Sequence, residues 1–335
     1  MALDPLRALP RQPVDRPLRV AFFGTPALAL PTLEGLLARP ELCEVVAVVA
    51  QPDKESGRGR KLRPPPVARR ATELGLPLYQ PRRVKTGEFP EALEALDLDL
   101  AVVIAYGRIL TTRILETPRY GCINVHASLL PAWRGAGPIQ WSILAGDRET
   151  GVTTMWMEEG LDTGPILLCR SLEIGGQETA GTLGGQLSEL GSTLLVETVE
   201  ALVEGKLVAR DQPDTGASYA RLLTREDAAL DWSEPAVVLE RRIRGLSPWP
   251  GTRCAFRGEQ LKVHAAEALP ENSDSEAGQI VSVSEAGLVV ACGEGMLRLT
   301  RVQPPGRKAQ DAGDFARGYR PEPGESLVIA GEDSS

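Results

Sequence analysis

Histidine is almost missing from this 335-residue chain, which has only His126 and His264. Cysteine is scarce too: Cys43, Cys122, Cys169, Cys254 and Cys292 are scattered, with no C-x-x-C pair among them. A structural zinc site draws four Cys or His ligands at short paired spacings, so no metal site is expected. An odd number of scattered thiols fits reduced, mostly buried cysteines of a cytoplasmic protein better than a disulfide framework. No apolar run approaches the ~18–20 residues of a membrane span. Residues 1–17 lack the apolar stretch of a signal peptide and are expected to be a disordered extension without function. Basic charge is also in deficit. Against 45 acidic residues stand 37 basic ones, for a formal net charge of -8. At first sight this argues against a nucleic-acid partner, because phosphates are met by cations. No protein partner is indicated.

What is present fits an ordinary globular protein, long enough for two domains. The first half alternates apolar runs with helical periodicity. Leu18–Phe23, Glu44–Ala50, Leu98–Tyr106 and Cys122–Val125 read as buried strands, and 151–157 as an alternating one. Near-continuous Val/Ile runs separated by helices indicate a mostly parallel sheet covered on both faces. The expectation is a doubly wound α/β, Rossmann-like domain over 18–205. Within it, Thr25 is expected to cap a helix over 27–39, and 179–204 form a long helix with a leucine stripe. Residues 206–224 are polar and hold Pro and Gly, as a linker would. Beyond a helix at 234–244, short strand candidates at 252–257, 260–265, 279–283, 287–292 and 296–302 alternate with Gly-containing turns. They predict a smaller C-terminal β-barrel over 225–322, followed by a tail at 323–335.

Chemistry concentrates in 121–140. Asn124 and His126 stand two apart at the end of a strand, so both side chains leave the same face. In open α/β sheets ligands bind beyond the carboxyl ends of the strands. An amide and an imidazole projecting there together suit acyl transfer, one polarising a carbonyl and the other stabilising an oxyanion or moving a proton. A satisfied strand-end histidine beside a turn asparagine is the plainer alternative. The loop that follows, Ser128-Leu129-Leu130-Pro131 and Arg134–Pro138, is long and shaped by Gly and Pro. Asp162 lies in a turn between Gly160 and Gly164. It either makes an ordinary turn hydrogen bond or holds His126 in one tautomer.

Taken together, Asn124-x-His126-x-Ser128-Leu129-Leu130-Pro131 and the later Gly-x-Asp162-x-Gly resemble the formyltransferases that use 10-formyltetrahydrofolate. The stretches F-F-G-T-P at 22–26, Q-P-D-K-E-S-G-R-G-R-K-L-R-P-P-P-V at 51–67, and D-W-S at 231–233 with I-R-G-L-S-P-W-P-G-T at 243–252 are similar to the branch acting on initiator methionyl-tRNA. The resemblance implies that 10-formyltetrahydrofolate is the co-substrate and that Asn124, His126 and Asp162 are catalytic. It implies a folate site near Ile104, Ala105, Tyr106 and Gly107 and along Ser128, Leu129, Leu130 and Pro131. It further implies an oligonucleotide-binding (OB-like) barrel at the C-terminus. Formylation of glycinamide ribonucleotide or an amino-sugar nucleotide is the nearest alternative. A non-catalytic RNA-binding module is the alternative of another class.

The charge deficit also hides a local excess. Residues 51–70 hold seven basic residues against two acidic ones, a net +5, so the remainder carries -13. Gly57 and Gly59 make this stretch pliable, which suits a loop that orders on single-stranded RNA. Candidate tRNA contacts are Arg58, Arg60, Lys61 and Arg63, and in the C-terminal part Arg241, Arg244, Lys262, Arg307 and Lys308. The resemblance places Arg58 where it senses the unpaired end of the acceptor stem.

Overall fold

The computed structural model describes residues 15–56 and 61–330. In chain order the strands are β1 (Leu18–Gly24), β2 (Cys43–Val49), β3 (Lys54–Ser56), β4 (Lys61–Arg63), β5 (Leu78–Tyr79), β6 (Leu100–Ile104), β7 (Cys122–His126), β8 (Arg134–Gly135), β9 (Glu149–Trp156), β10 (Ile166–Glu173) and β11 (Tyr219–Ala220). They continue with β12 (Thr252–Phe256), β13 (Glu259–Leu269), β14 (Ile280–Ser284), β15 (Gly287–Ala291), β16 (Met296–Gln303), β17 (Gln310–Asp311) and β18 (Leu327–Ile329). The α-helices are α1 (Leu30–Leu37), α2 (Pro66–Glu73), α3 (Glu88–Glu94), α4 (Thr112–Glu116), α5 (Pro138–Ala145), α6 (Ala180–Val203), α7 (Ala236–Gly245) and α8 (Ala312–Tyr319).

The chain forms two compact units. One comprises Met1–Pro138, Glu149–Glu173 and Gly184–Ala220; the other comprises Ile139–Arg148, Ile174–Leu183 and Arg221–Ser335. Sequence texture cannot reveal this interleaving, because it depends on tertiary contacts. Arg244 Nη1 donates to Glu178 O at 2.8 Å and Gly181 N to Ser247 O at 3.0 Å. Both bonds draw 174–183 to α7.

The first unit holds a seven-stranded sheet in the order β10-β9-β7-β6-β1-β2-β5. Strands β7, β6, β1, β2 and β5 run parallel, while β9 is antiparallel to β7 and β10 to β9. The order reverses beside β1, as in a doubly wound sheet. Strand β6 is buried at every position, which explains its unbroken apolar run. One face packs Phe23, Val103, Tyr106, Phe89 and Leu93. Helix α6 buries Leu187, Leu194, Leu195, Val199 and Leu202. No helix among the described residues is long and apolar enough to cross a membrane.

Thr25 differs from its expected role as a cap. The 3₁₀ turn at Ala27–Ala29 has Pro26 at its N-cap, without a side-chain bond. The Thr25 hydroxyl instead donates to Tyr106 O at 2.9 Å. Arg16, inside the expected extension, forms a fork on the buried Asp99 at 2.6 and 2.8 Å. Asp99 also accepts from Arg19 N at 2.8 Å.

In the second unit β14-β15-β16-β13-β12-β18 form an antiparallel sheet, with β17 beside β16. Backbone bonds from Leu327 N to Gly278 O and from Ile280 N to Glu325 O, both 2.8 Å, join its two edges into a barrel. Its core holds Leu239, Ile243, Phe256, Leu299 and Phe315. Trp232 is buried in this core, whereas Trp249 is half exposed.

Candidate active site

Strand β7 carries the site. Asn124 pairs in register with Val103 on β6 and Met155 on β9, and His126 with Thr153 on β9. Period-two alternation then sends both side chains to one face, at the carboxyl end of the parallel strands. Asp162 reaches them from the β9–β10 connection. Asn124 Nδ2 donates to Asp162 Oδ1 at 3.1 Å, and His126 Nδ1 stands 3.7 Å from Asp162 Oδ2. That second distance is an ion-pair approach, longer than a hydrogen bond. His126 is buried, and its Nε2 lies 2.9 Å from Trp133 O. A carbonyl only accepts, so Nε2 carries a proton and donates. The structure thus brings the three expected residues together, with Asp162 at the centre.

The 127–137 loop is held by bonds that spacing alone does not reveal. Thr153 Oγ1 accepts from Leu130 N at 3.1 Å and donates to Ser128 O at 2.7 Å. Ser128 is fully buried, and its hydroxyl donates to Ala132 O at 2.6 Å. Downstream, β8 pairs with β11, and Trp133 N donates to Ser218 Oγ at 2.9 Å. The consequence falls on Gly135, whose N–H donates to Asp162 Oδ2 at 2.8 Å. Gly135 has φ 113°, and a Cβ there would lie 2.7 Å from Ala220 O. Only glycine fits both requirements.

Asp162 itself has φ 53°, in the left-handed region. Gln212, from the stretch expected to be a linker, holds this turn. Its Nε2 lies 2.8 Å from both Asp162 O and Gly164 O. Arg134 donates Nε and Nη2 to Gln212 Oε1 at 3.0 and 2.7 Å. Gln212, Thr153 and Ser218 carry no motif signal. Their roles come from backbone placement and distant contacts.

Residues 104–107 end β6 beside this cluster. Ala105 (φ 46°) and Gly107 (φ 77°) are exposed and left-handed. The Tyr106 side chain is buried edge-on to Phe23 at 5.4 Å, and burial pushes its phenol up to about 12. Gln51 Nε2 donates to Tyr106 O at 2.9 Å and to Gly107 O at 3.2 Å. These two carbonyls are therefore partly engaged by the protein. Leu129 and Pro131 are half-buried, and Leu130 is buried. Among the described residues no group of three or more His, Cys, Asp or Glu side chains could hold a metal ion. Burial pushes the Cys122 thiol up to about 12, whereas Cys169 is exposed.

The basic candidates divide by environment. Arg58 and Arg60 lie outside the described residues. The flanking residues form a ladder pairing Lys54 with Arg63 and Ser56 with Lys61, and Gly57 and Gly59, on which the expected pliability rests, also lie outside the described residues. Lys61 and Arg63 are exposed. Arg69 and Arg70, which belong to the same basic run, are paired with Glu73, and Arg70 also with Glu34. In the second unit Lys262, Arg307 and Lys308 are exposed. Arg244 is engaged by Glu240 and Glu178 O, and the Arg241 guanidinium lies against Gly146. His264 Nε2 meets Gln303 Oε1 at 3.0 Å, a structural pairing.

A doubly wound sheet presenting a linked amide, carboxylate and imidazole at its carboxyl edge defines a group-transfer enzyme. The formyl transferase family matches residues 18–199, and the formyl transferase C-terminal domain matches residues 222–320. The chain belongs to the formyl transferase family. It is 46% identical over 313 residues to a methionyl-tRNA formyltransferase of Parvibaculum lavamentivorans, covering 93% of this chain and all of that protein. It is 48% identical over 312 residues to one of Ectopseudomonas mendocina, covering 93% and 98% respectively. An N-formyltransferase from Helicobacter canadensis, solved with folinic acid and dTDP-3-aminofucose, shares the fold at TM-score 0.62 and 16% identity. That match covers 84% of this chain and 99% of that one.

Proposed function

We propose that this enzyme moves the formyl group of 10-formyltetrahydrofolate to the α-amine of initiator methionyl-tRNA. The observation that carries the reading is Asp162, reached at once by Asn124, Gly135 and His126. The identity to methionyl-tRNA formyltransferases over more than nine-tenths of the chain supports the choice of acceptor.

The amine nitrogen attacks the formyl carbon, and the bond from that carbon to N10 breaks. The amine loses a proton and N10 gains one. Asn124 has a second amide proton beyond the one given to Asp162, and this proton is available to the formyl oxygen. His126, held by Asp162 on one side and Trp133 O on the other, stabilises the negative charge that develops there. Donors fixed before the reaction are effective because they need no reorganisation as charge appears. Asp162 orients both groups and assists the movement of a proton from the attacking amine. The turn at 105–107, exposed at Ala105 and Gly107, and the half-buried Leu129 and Pro131 form the folate side of the site. Arg58, Arg60, Lys61, Arg63, Lys262, Arg307 and Lys308 offer phosphate contacts. Arg244, already paired with Glu240, is a weaker candidate.

The test supplies 10-formyltetrahydrofolate with charged initiator methionyl-tRNA, glycinamide ribonucleotide or an amino-sugar nucleotide in parallel. Formyl transfer to methionyl-tRNA is the expected outcome. Faster transfer to either small acceptor overturns the reading.

A further inference from the structure

We propose that Gln212 is a positioning residue for formyl transfer, acting through Asp162; the proposal rests on the function given above. The backbones of Ile166 and Arg210 exchange two hydrogen bonds, N to O, at 2.7 and 2.8 Å. The antiparallel register that follows sets residue 212 opposite residue 164. Gln212 then spends both amide protons on one turn, donating Nε2 to Asp162 O and to Gly164 O. The direction of this amide is determined, because Arg134 has donors only and must face Oε1.

The turn needs such a clamp. Asp162 has φ 53°, a region that side-chain-bearing residues enter at a cost, so a relaxed turn would leave it. Its carboxylate would leave with it, away from Asn124 and His126. Arg134 and Gly135 are the two residues of β8. Gly135 fixes the Asp162 carboxylate directly, and Arg134 fixes the Asp162 main chain through Gln212. One two-residue strand therefore sets both ends of the same aspartate, and Gln212 is the link the reaction chemistry does not itself require.

Gln212→Glu tests this. It keeps the acceptor for Arg134 and nearly the same shape but removes both donors to the turn. The kcat and both KM values for formylation are measured for the wild type, Gln212→Glu, Asp162→Ala and the double variant, with thermal unfolding as a control. The ring ¹H–¹⁵N signals of His126 are followed beside those of His264, the only other histidine. Small displacements of reacting groups cost up to about 100-fold in rate, so a 10- to 100-fold fall in kcat is expected, with both KM values nearly unchanged. The double variant should be no slower than Asp162→Ala alone, and the His126 signals should move while those of His264 stay. An unchanged kcat in Gln212→Glu overturns the proposal. So does a double variant slower by the full single-variant factor, because Gln212 would then act independently of Asp162. If Gln212→Glu does not fold, Gln212→Ala replaces it. If the wild type fails to formylate methionyl-tRNA, the acceptor assignment fails, and unmoved His126 signals in the variant still overturn the positioning role.

Discussion

Replacing Asp162 with Asn tests the centre of the site. Both carboxylate oxygens accept hydrogen bonds, from Asn124 Nδ2 at 3.1 Å and Gly135 N at 2.8 Å, and the side chain is only 14% exposed. An amide has one accepting oxygen. Turned to keep Gly135, it points its NH2 at the Asn124 NH2, and the clash is relieved only if Asn124 turns over. Two charge-assisted bonds then become neutral ones, a loss of about 1 kcal/mol each. For a unit of this size about 2 kcal/mol lowers Tm by roughly 4–8 °C. The rate suffers more, because Asn124 no longer presents its donor in place and His126 loses its anionic neighbour. Removal of one oriented donor costs about 10²–10³ in rate, so single-turnover formylation should slow by at least that factor. Rapid-quench transfer from 10-formyltetrahydrofolate to methionyl-tRNA, paired with a thermal melt, measures both. A folded Asp162→Asn variant within about threefold of wild-type turnover would refute the reasoning, since the predicted loss is far larger.

Three other outcomes are expected. Arg16→Ala leaves the buried Asp99 with Arg19 N as its remaining donor, and should cost about 2 kcal/mol in denaturant or thermal unfolding; wild-type stability would show that the fork is idle. The Arg221 guanidinium, with help from Thr224, holds the Asp227 carboxyl down to about 2. The unfolded chain takes up that proton nearer pH 4, so the contribution is complete above about pH 4 and lost as pH falls towards 2. The stability gap between wild type and Asp227→Asn should shrink across that window, and a constant gap contradicts the assignment. Arg58→Ala should weaken discrimination of initiator from elongator methionyl-tRNA, with folate KM unchanged; equal loss for both tRNAs points to a general phosphate contact.

The parallel sheet was legible because strands buried on both faces must be apolar throughout, as β6 is. The Asn124–His126 pair was legible because two residues along a strand share a face. Thr25 was misread, since its local signal as a cap yields to a stronger tertiary bond at Tyr106 O. The 206–224 segment gave only polarity and Pro/Gly content. Its Gln212 and Ser218 acquire roles from an antiparallel register and a parallel two-residue ladder, both long-range.

The amino-acid sequence by itself determined the layers of the fold, the thiol and histidine scarcity, the concentration of charge at 51–70, and the shared face of Asn124 and His126, the pair that makes up, with Asp162, the trio the family resemblance implied. Each follows from periodicity or spacing over a few residues. Tertiary structure alone decided how that trio is held: through the Gly135 N–H, the Thr153 hydroxyl and the Arg134–Gln212 link. It also decided that Arg70 is matched by Glu34, 36 residues away, whereas Lys61 and Arg63 lie exposed. The physical reason is the same throughout. A hydrogen bond or ion pair depends on angstrom placement of its partners, and chain neighbours say little about placement when those partners lie 25 to 85 residues away.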